Sequence, residues 1–325
     1  MDIRRIKDSA ANSLAQASYN PKKLALLHAG VMALFALVLT VLQFLLDKGI
    51  ANTGGLGSMG SRAILSTAQT MLSIVNILAL PFWQIGMVFA GLTLCRNETA
   101  TPADLTEGFR RWGPLSRLLV LQIGIYILAS IVCSQVAGVL FFLSPFLSKS
   151  LPIMQQFLEE AAQAGQTAVT TEAFFEAFLP LYGISLVVMA VVMIPIFYRL
   201  RMSFFAIMDD APRARAAIRV SNRLMKRSCL SLFQLDLSFW WYYGAKLLIS
   251  LVAYLHLILP AVGIRLPVSN NVSFFIFYGI YLVLLLAVEW QFGAYVQTAY
   301  AHFYNIRKAD APELPTPQTQ PWTTP

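Results

Sequence analysis

The chain has 325 residues, of which 57% are hydrophobic and only 12% are charged, with a formal net charge of +8 at pH 7. Soluble domains average about 25% charged residues, so this composition excludes an ordinary soluble protein and indicates a membrane protein. A basic excess suggests nucleic acid in soluble proteins. Here the basic residues lie beside apolar segments, which makes anionic lipid headgroups the nearer partner and excludes nucleic acid.

Six long apolar runs follow one another along the chain. A helix rises about 1.5 Å per residue, so ~20 apolar residues cross the ~30 Å hydrocarbon layer of a bilayer. Each run is close to that length or longer. We therefore expect an all-α fold, a polytopic bundle of six transmembrane helices. The predicted spans are about 24–46, 64–95, 118–144, 181–198, 230–259 and 274–298.

Basic residues concentrate on alternate sides of these runs. If the amino terminus is cytoplasmic, 19 of the 24 Lys and Arg residues fall in cytoplasmic segments. The outside segments hold only Lys48, Arg62, Lys149 and Arg265. The positive-inside rule therefore predicts that both termini are cytoplasmic. Lys22 and Lys23 precede a first run that is too long for a signal-peptide core, so we expect a retained anchor.

Two segments outside the runs have their own patterns. The longest outside segment, 147–180, carries apolar residues at helical spacing among several Glu residues. It predicts two short amphipathic helices on the outer membrane surface. Residues 309–325 are rich in Pro, Thr and Gln and predict a disordered cytoplasmic tail. We therefore expect one membrane domain, residues 1–308, followed by this tail.

The strongest local pattern lies between the fourth and fifth runs. Asp209, Asp210 and Pro212 are typical of a helix start. After them, apolar residues such as Ala217 and Leu224 share one helix face, and basic residues recur on another. We interpret the segment as a basic amphipathic helix on the cytoplasmic membrane surface. It either only sets the topology or also recognises anionic lipid, at about 1 kcal/mol per basic residue. The candidate lipid-contacting residues are Arg213, Arg215, Arg219, Arg223, Lys226 and Arg227.

Two ionisable residues fall inside the last two runs. Lys246 and Glu289 lie about 24 and 19 Å from the cytoplasmic ends of their spans at 1.5 Å per residue. The two spans are antiparallel neighbours, so we hypothesise a Lys246–Glu289 ion pair near mid-membrane. One interpretation is a proton or ion site, because charges inside a membrane are expensive. The other interpretations are a structural pair, or a Lys246 that reaches outward beside a protonated Glu289. Asp236 is shallower, and we expect it to be satisfied near the cytoplasmic surface.

Catalytic patterns are missing from the sequence. It has no P-loop, no plausible Ser/His/Asp frame and no metal-ligand spacing. Cys95, Cys133 and Cys229 lie far apart and form no C-x-x-C pair. We therefore expect no catalytic residue, no metal and no cofactor, and we expect that the protein is not an enzyme.

Several segments carry a family resemblance. Residues 217–226 (AIRVSNRLMK), continuing into 232–240 (LFQLDLSFW), resemble an uncharacterised bacterial integral-membrane family, the domain of unknown function 975. Residues 295–304 (YVQTAYAHFY) resemble the last span of that family, which often has Pro where this chain has Ala294. Residues 86–96 are also similar to the family, as is the basic amino-terminal helix.

The resemblance implies a multi-pass protein of the bacterial plasma membrane, and it brings no established activity. The family is related to the membrane domain attached to some glycerophosphodiester phosphodiesterases. No soluble segment here is long enough for the catalytic barrel of those enzymes, so their activity is not expected.

Sequence and resemblance together favour a non-enzymatic accessory or envelope-maintenance protein. Its basic cytoplasmic face would contact anionic phospholipid headgroups or a membrane-protein partner. The alternative is a small transporter or channel that uses polar residues of the last two spans. A membrane-embedded enzyme ranks third, because no catalytic constellation supports it.

Overall fold

The structure is a computed structural model that describes residues 2–52, 59–148, 151–152, 155, 171–209, 213–264 and 269–311. All regular elements in these ranges are helical, so the expected all-α class is confirmed over the part of the chain described. The α-helices are α1 (Ile3–Gln16), α2 (Pro21–Asn52), α3 (Met59–Cys95), α4 (Glu107–Arg110), α5 (Trp112–Phe142), α6 (Thr171–Arg201), α7 (Ser203–Asp209), α8 (Ala214–Met225), α9 (Cys229–Ser238), α10 (Trp240–Ala253), α11 (Leu255–Ala261), α12 (Asn270–Val288) and α13 (Ala294–Asp310).

The chain divides into two compact units. The first, unit 1, comprises Met1–Leu115 and Met202–Pro325, and the second, unit 2, comprises Ser116–Arg201. Unit 2 contains most of α5 and all of α6, and in it the Gln122 amide donates to the carbonyl of Leu200. The functional candidates from the sequence all lie in unit 1.

Five helical segments are long and apolar enough to cross a membrane. They correspond to the first, second, third, fourth and sixth apolar runs of the sequence. Their bounds are Pro21–Ile50, Ala63–Cys95, Trp112–Phe142, Leu179–Asp209 and Asn271–Asp310.

The fifth run is broken, where the sequence predicted a single helix over 230–259. It is divided among α9, α10 and α11 at Phe239 and Tyr254, and the ψ angle of Phe239, 19°, lies outside the helical range. Phe239 is fully buried, with its ring against Tyr295 and Tyr300 and the Lys7 ammonium 5.0 Å from the ring centroid. Tertiary packing of this ring therefore fixes the first break, which no local helix propensity requires.

The helices of unit 1 keep a consistent antiparallel register. Along α2, the Thr40 hydroxyl donates to Tyr278 at 3.0 Å and the Phe44 ring lies 5.1 Å from the Phe275 ring, so α2 runs antiparallel to α12. The broken fifth run is likewise antiparallel to the last helix, because Lys246 contacts Glu289 and His256 contacts Phe274. The broken run therefore follows the last helix over most of its length.

Buried and exposed apolar residues lie in different parts of unit 1. The buried core draws on α1, the carboxyl-terminal half of α3, α7, α8, α9 and α13, with Ile6, Leu94, Leu235 and Phe303 among its members. Large apolar side chains are exposed along the middle of α2, the first half of α3, α10 and α12. A soluble protein rarely leaves such broad apolar surface in water, so these stretches suit contact with lipid.

Glycine at position 86 allows a close backbone contact in this core. A Cβ at Gly86 of α3 would lie 1.9 Å from the carbonyl oxygen of Leu105, which belongs to the 3-10 turn Pro102–Thr106. Only a residue without a Cβ permits this approach. The contact holds the turn, and with it α4, against the part of α3 that is buried.

The structure also bears on the segments outside the runs. Of the two short helices predicted in 147–180, the first lies mostly outside the described residues. The second is the beginning of α6, which is continuous from Thr171 to Arg201, so it is not a separate helix. The helix α13 extends to Asp310 and so includes the first two residues of the tail predicted over 309–325, and 312–325 lie outside the described residues.

Candidate functional site

Lys246 and Glu289, the two ionisable residues singled out inside the last two runs, lie in contact. Lys246 Nζ donates to Glu289 Oε1 at 2.6 Å, and the Tyr242 hydroxyl donates to the same oxygen at 2.8 Å. The Lys246 ammonium also lies 5.0 Å from the Tyr242 ring centroid. The Glu289 side chain is 18% exposed and that of Lys246 is 37% exposed. Both charges are therefore compensated locally.

A π-helical turn, Glu289–Gly293, shapes this site by separating α12 from α13. A Cβ at Gly293 would lie 2.5 Å from Glu289 Oε2, so the carboxylate occupies the space that any side chain at 293 would fill. Single π turns are frequent at functional sites. Where the resembled family often has Pro, the chain has Ala294 directly after this turn, so the irregularity arises here without proline.

The depth of the pair follows from the register with α2. The position of a Cβ at Gly293 lies 3.6 Å from the Cβ of Ala25. At about 1.5 Å per residue, Glu289 then lies roughly 10 Å from the level of Lys22, along an apolar stretch of roughly 37 Å between Lys22 and Asp47. The pair therefore lies nearer one end of the apolar layer than the mid-membrane depth expected from the sequence.

Asp236 meets two tyrosines. The Tyr300 hydroxyl donates to Asp236 Oδ1, and the hydroxyls of Tyr300 and Tyr243 lie 2.6 Å apart. Sequence reasoning expected Asp236 to be satisfied near the cytoplasmic surface and did not identify Tyr300 as its partner. The signal in the sequence was weak, because tyrosine is common in apolar helices.

The basic segment forms a helix whose two faces differ sharply. The apolar face of α8 packs inside unit 1, where it contacts α7 and buries Ala217, Leu224 and Met225. This face is therefore not available to insert into lipid. The candidate basic residues are all exposed: Arg213, Arg215, Arg219, Arg223, Lys226 and Arg227.

An ion cluster at Asp209, which sequence reasoning missed, anchors the neighbouring helix α7. Arg96 Nη2 donates to Asp209 Oδ1 at 2.6 Å, and Lys308 Nζ donates to Oδ2 at 2.7 Å. The Tyr304 hydroxyl donates to Oδ2 at 3.2 Å, and the Asp209 side chain is only 4% exposed. The cluster joins the ends of α3, α7 and α13.

The expected role of Asp209 at a helix start is therefore wrong. Asp209 is the last residue of α7, and Arg213 occupies the N-cap position of α8. Arg111 also reaches the end of α7, where it donates to the carbonyl oxygen of Met208 at 3.0 Å. Cations are favourable at a helix carboxyl terminus, so Arg111 further fixes the helix on which the basic segment packs.

A pocket of about 240 Å³ lies between α2 and α3. Its lining is apolar and includes neither Lys246 nor Glu289. The lining residues are Val31, Met32, Phe35, Ala79, Leu80, Trp83 and Phe109. Among the described residues, no group of three or more His, Cys, Asp or Glu side chains is placed to hold a metal ion.

Fold and site together define a class, an all-helical protein with five helices that fit a multi-pass membrane protein. Comparison of the chain with models of protein families, with curated proteins and with solved structures finds no match. Functional inference therefore depends on the geometry of the chain itself.

Proposed function

We propose that this chain is a six-span protein of a bacterial plasma membrane, with both termini in the cytoplasm. The broken fifth run serves as the additional span, and its antiparallel course along the last helix supports this. Lys22, Arg96, Arg307 and Lys308 lie toward one end of unit 1, which fits the positive-inside rule. Membership of the domain of unknown function 975 family is part of this proposal and is supported by the sequence resemblance.

The role that the geometry supports best is non-enzymatic. The exposed basic face of α8 contacts anionic lipid headgroups or an acidic partner protein, in an accessory or envelope-maintenance function. One observation carries the proposal: the apolar face of α8 is buried in the protein while its basic residues are exposed. Such a helix holds its charges on a rigid support and does not need lipid to fold.

The nature of this contact follows from the burial of the apolar face. Each basic residue near an anionic surface contributes about 1 kcal/mol, and salt screens the attraction over a Debye length of about 8 Å at physiological ionic strength. Because no apolar insertion accompanies it, we expect binding to anionic lipid to be almost entirely salt-sensitive.

The test compares two triple variants that remove the same charge. R215Q/R219Q/R223Q neutralises the basic face, and R4Q/R5Q/R110Q neutralises exposed arginines elsewhere. The thermal unfolding temperature of each full-length protein is measured in nanodiscs of neutral lipid with and without phosphatidylglycerol. A ligand that binds only the folded state raises this temperature.

We expect phosphatidylglycerol to stabilise the wild type and the control variant, and to stabilise the α8 variant much less. High salt should abolish the difference. Equal stabilisation of all three proteins would exclude headgroup contact by α8. Equal loss in both variants would show an effect of net charge and not of this face.

A second candidate function is a small transporter or channel, and one observation favours it. Polar groups of the last two runs lie close together, with Asp236 bonded to Tyr300 and Glu289 bonded to both Tyr242 and Lys246. A transport function predicts that E289Q abolishes the flux of the transported species across the proteoliposome membrane, while R215Q/R219Q/R223Q leaves that flux intact. The lipid-contact function predicts that E289Q keeps its response to phosphatidylglycerol.

A further inference from the structure

Five tryptophans lie in the part of the chain that the structure describes, and all of them belong to unit 1. They are Trp83, Trp112, Trp240, Trp241 and Trp290. Trp112, Trp240 and Trp290 are exposed, at 53%, 68% and 46%. Because an indole combines a large apolar ring with one N–H donor, tryptophan is enriched where the hydrocarbon of a bilayer meets water. The level of these side chains along the helices therefore bears on where a bilayer surrounds unit 1.

Trp83 of α3 lies at the same level as Trp290 of the π-helical turn. The Trp83 indole N–H donates to the carbonyl oxygen of His28 in α2 at 3.0 Å, so these two residues are side by side. A Cβ at Gly293 would lie 3.6 Å from the Cβ of Ala25 in the same helix α2. His28 follows Ala25 by three residues in α2, which is antiparallel to the last helix. It is therefore level with Trp290, which precedes Gly293 by three residues.

The other three indoles join this level through ring contacts. The Trp112 ring is stacked 4.1 Å from the ring of Phe82, which directly precedes the tryptophan of α3. The Trp241 ring lies 4.4 Å from the ring of Phe292 in the π-helical turn. Trp240 directly precedes Trp241 and is the first residue of α10. The five tryptophans thus lie within about one helical turn of a common level, and we call them the tryptophan girdle.

The distance from the girdle to the far ends of two helices matches the thickness of a bilayer. On α2 the first charged residue after His28 is Asp47, 19 positions on, or about 28 Å at 1.5 Å per residue. On the last helix, Asn271 precedes Trp290 by the same 19 positions. The hydrocarbon layer of a bilayer is ~30 Å thick. A bilayer with one boundary at the girdle therefore has its other boundary at the level of Asp47 and Asn271.

On the other side of the girdle the surface of unit 1 changes. Among the described residues, α13 and the end of α3 expose no large apolar side chain. The helix α1 packs on α13, where the Ser13 hydroxyl lies 3.0 Å from His302 Nε2, and its opposite face exposes Arg5 and Asn12. His302 is 12 positions past Trp290, or about 18 Å from the girdle. Polar surface of this kind suits water and not hydrocarbon.

The helix α9 presents an apolar strip next to the girdle. Leu230, Phe233 and Leu237 are exposed and recur at the spacing of one helix face. The strip leads along the chain to Trp240, the most exposed residue of the girdle. It therefore suits contact with the headgroup layer, where interfacial helices bury their apolar faces to a depth of about 5–10 Å.

The Lys246–Glu289 pair fits a boundary at this level. Glu289 directly precedes Trp290, so its carboxylate lies at the girdle. Lys246 is six residues past Trp240, or about 9 Å inside the layer, and its ammonium reaches back to Glu289 at 2.6 Å. A lysine placed in this way keeps its apolar stem in the hydrocarbon and its charge near the boundary.

We propose that the tryptophan girdle contacts the lipid headgroup layer and marks the edge of the hydrocarbon, and that α1, α13 and the end of α3 lie outside the hydrocarbon in water. The candidate spans Ala63–Cys95 and Asn271–Asp310 then continue past the girdle for 12 and 20 residues, counted from Trp83 and Trp290. The buried core of unit 1 draws on these helix ends, so it is a helical body beside the membrane. The inference rests on the membrane location proposed above and not on the basic face of α8.

The test measures the depth of the tryptophans by fluorescence quenching in nanodiscs that hold the full-length protein and brominated phospholipid. One lipid carries bromine near the headgroup end of its acyl chains, and the other carries it near the methyl end. All variants include W322F, because Trp322 lies outside the described residues. L34W adds an exposed indole on α2, six residues or about 9 Å to the hydrocarbon side of His28. N12W, the matched probe, adds an exposed indole on α1.

We expect the headgroup-end lipid to quench the W322F protein severalfold more strongly than the methyl-end lipid. L34W should add emission that the methyl-end lipid quenches. N12W should add emission that neither lipid quenches and that iodide in the water does quench.

Equal or stronger quenching of the W322F protein by the methyl-end lipid would overturn the girdle as the boundary. Quenching of the added N12W emission by either lipid would overturn the position of α1 in water. If neither lipid quenched any variant, the membrane location itself would be contradicted, and this inference with it. Loss of the phosphatidylglycerol effect, in contrast, concerns α8 alone and leaves the girdle standing.

Discussion

The carboxylate of Asp209 lies 2.6 Å from the guanidinium of Arg96, although 113 residues separate them in the sequence. The contact joins the last residue of α7 to the first residue after α3. Lys308 completes the cluster from α13. Because α8 packs on α7, this cluster fixes the position of the basic face.

We expect Asp209→Asn to lower the free energy of unfolding by about 1–3 kcal/mol, because it leaves two cations without their shared carboxylate. The lower part of that range is expected, since Arg96 and Lys308 are each about a third exposed and regain water. Unfolding of the purified protein in mixed micelles measures the change. The control is Asp310→Asn, which removes a 3.6 Å contact between Arg307 and an exposed carboxylate. A loss in D310N as large as that in D209N would contradict a special role of the cluster.

Replacing Lys246 and Glu289 by Leu, singly and together, tests their pairing. Each single variant leaves one charge uncompensated within the apolar layer, which is more costly than removing both. We therefore expect the double variant to be more stable than either single variant, with a coupling energy of at least about 1 kcal/mol in a double-mutant cycle. A double variant that is no better folded than the worse single variant would show that the pair does not stabilise the fold.

Gly293→Ala tests the link between the π-helical turn and Glu289. The new methyl group meets Glu289 Oε2 at 2.5 Å, so the carboxylate must leave its place, at an expected cost of about 1–3 kcal/mol. Gly279→Ala in the preceding helix α12 has no neighbouring atom within 4 Å of the new Cβ and should be close to neutral. In an E289A background the cost of G293A should largely disappear. Persistence of the full cost there would mean that the backbone of the turn, and not the carboxylate, requires glycine.

Gly86→Ala should be more damaging than Gly293→Ala. A Cβ at position 86 meets the backbone oxygen of Leu105 at 1.9 Å, and a backbone atom cannot move aside as the end of a side chain can. We expect the yield of monodisperse protein, measured by size-exclusion chromatography after extraction, to fall several-fold. Gly124→Ala, whose Cβ meets no atom within 4 Å, serves as the control. An equal yield for both variants would contradict the tight contact between α3 and the turn.

The sequence predicts one contact of the candidate site and misses another. It predicts the contact between Lys246 and Glu289, because both are ionisable residues in two neighbouring antiparallel runs. It misassigned Asp209, since Asp before Pro is typical of a helix start and the partners Arg96 and Lys308 are 113 and 99 residues away. Ion pairs at such separations leave no local pattern, and only the packing of three helix ends creates them.

The sequence by itself determined the all-helical class and the position of the long apolar helices, because length and composition decide whether a segment can cross a bilayer. The tertiary structure alone decided where those helices face protein and where they expose apolar surface. A protein core and the lipid both favour apolar side chains. Phe303, at 0% exposure, and Val283, at 66% exposure, are both apolar, so their chemical character alone does not tell which of them is buried in the protein. The depth of Glu289 also depends on tertiary structure. The register of α2 against α12 and α13 places Glu289 nearer to Lys22 than the middle of the apolar stretch, where the sequence predicted it.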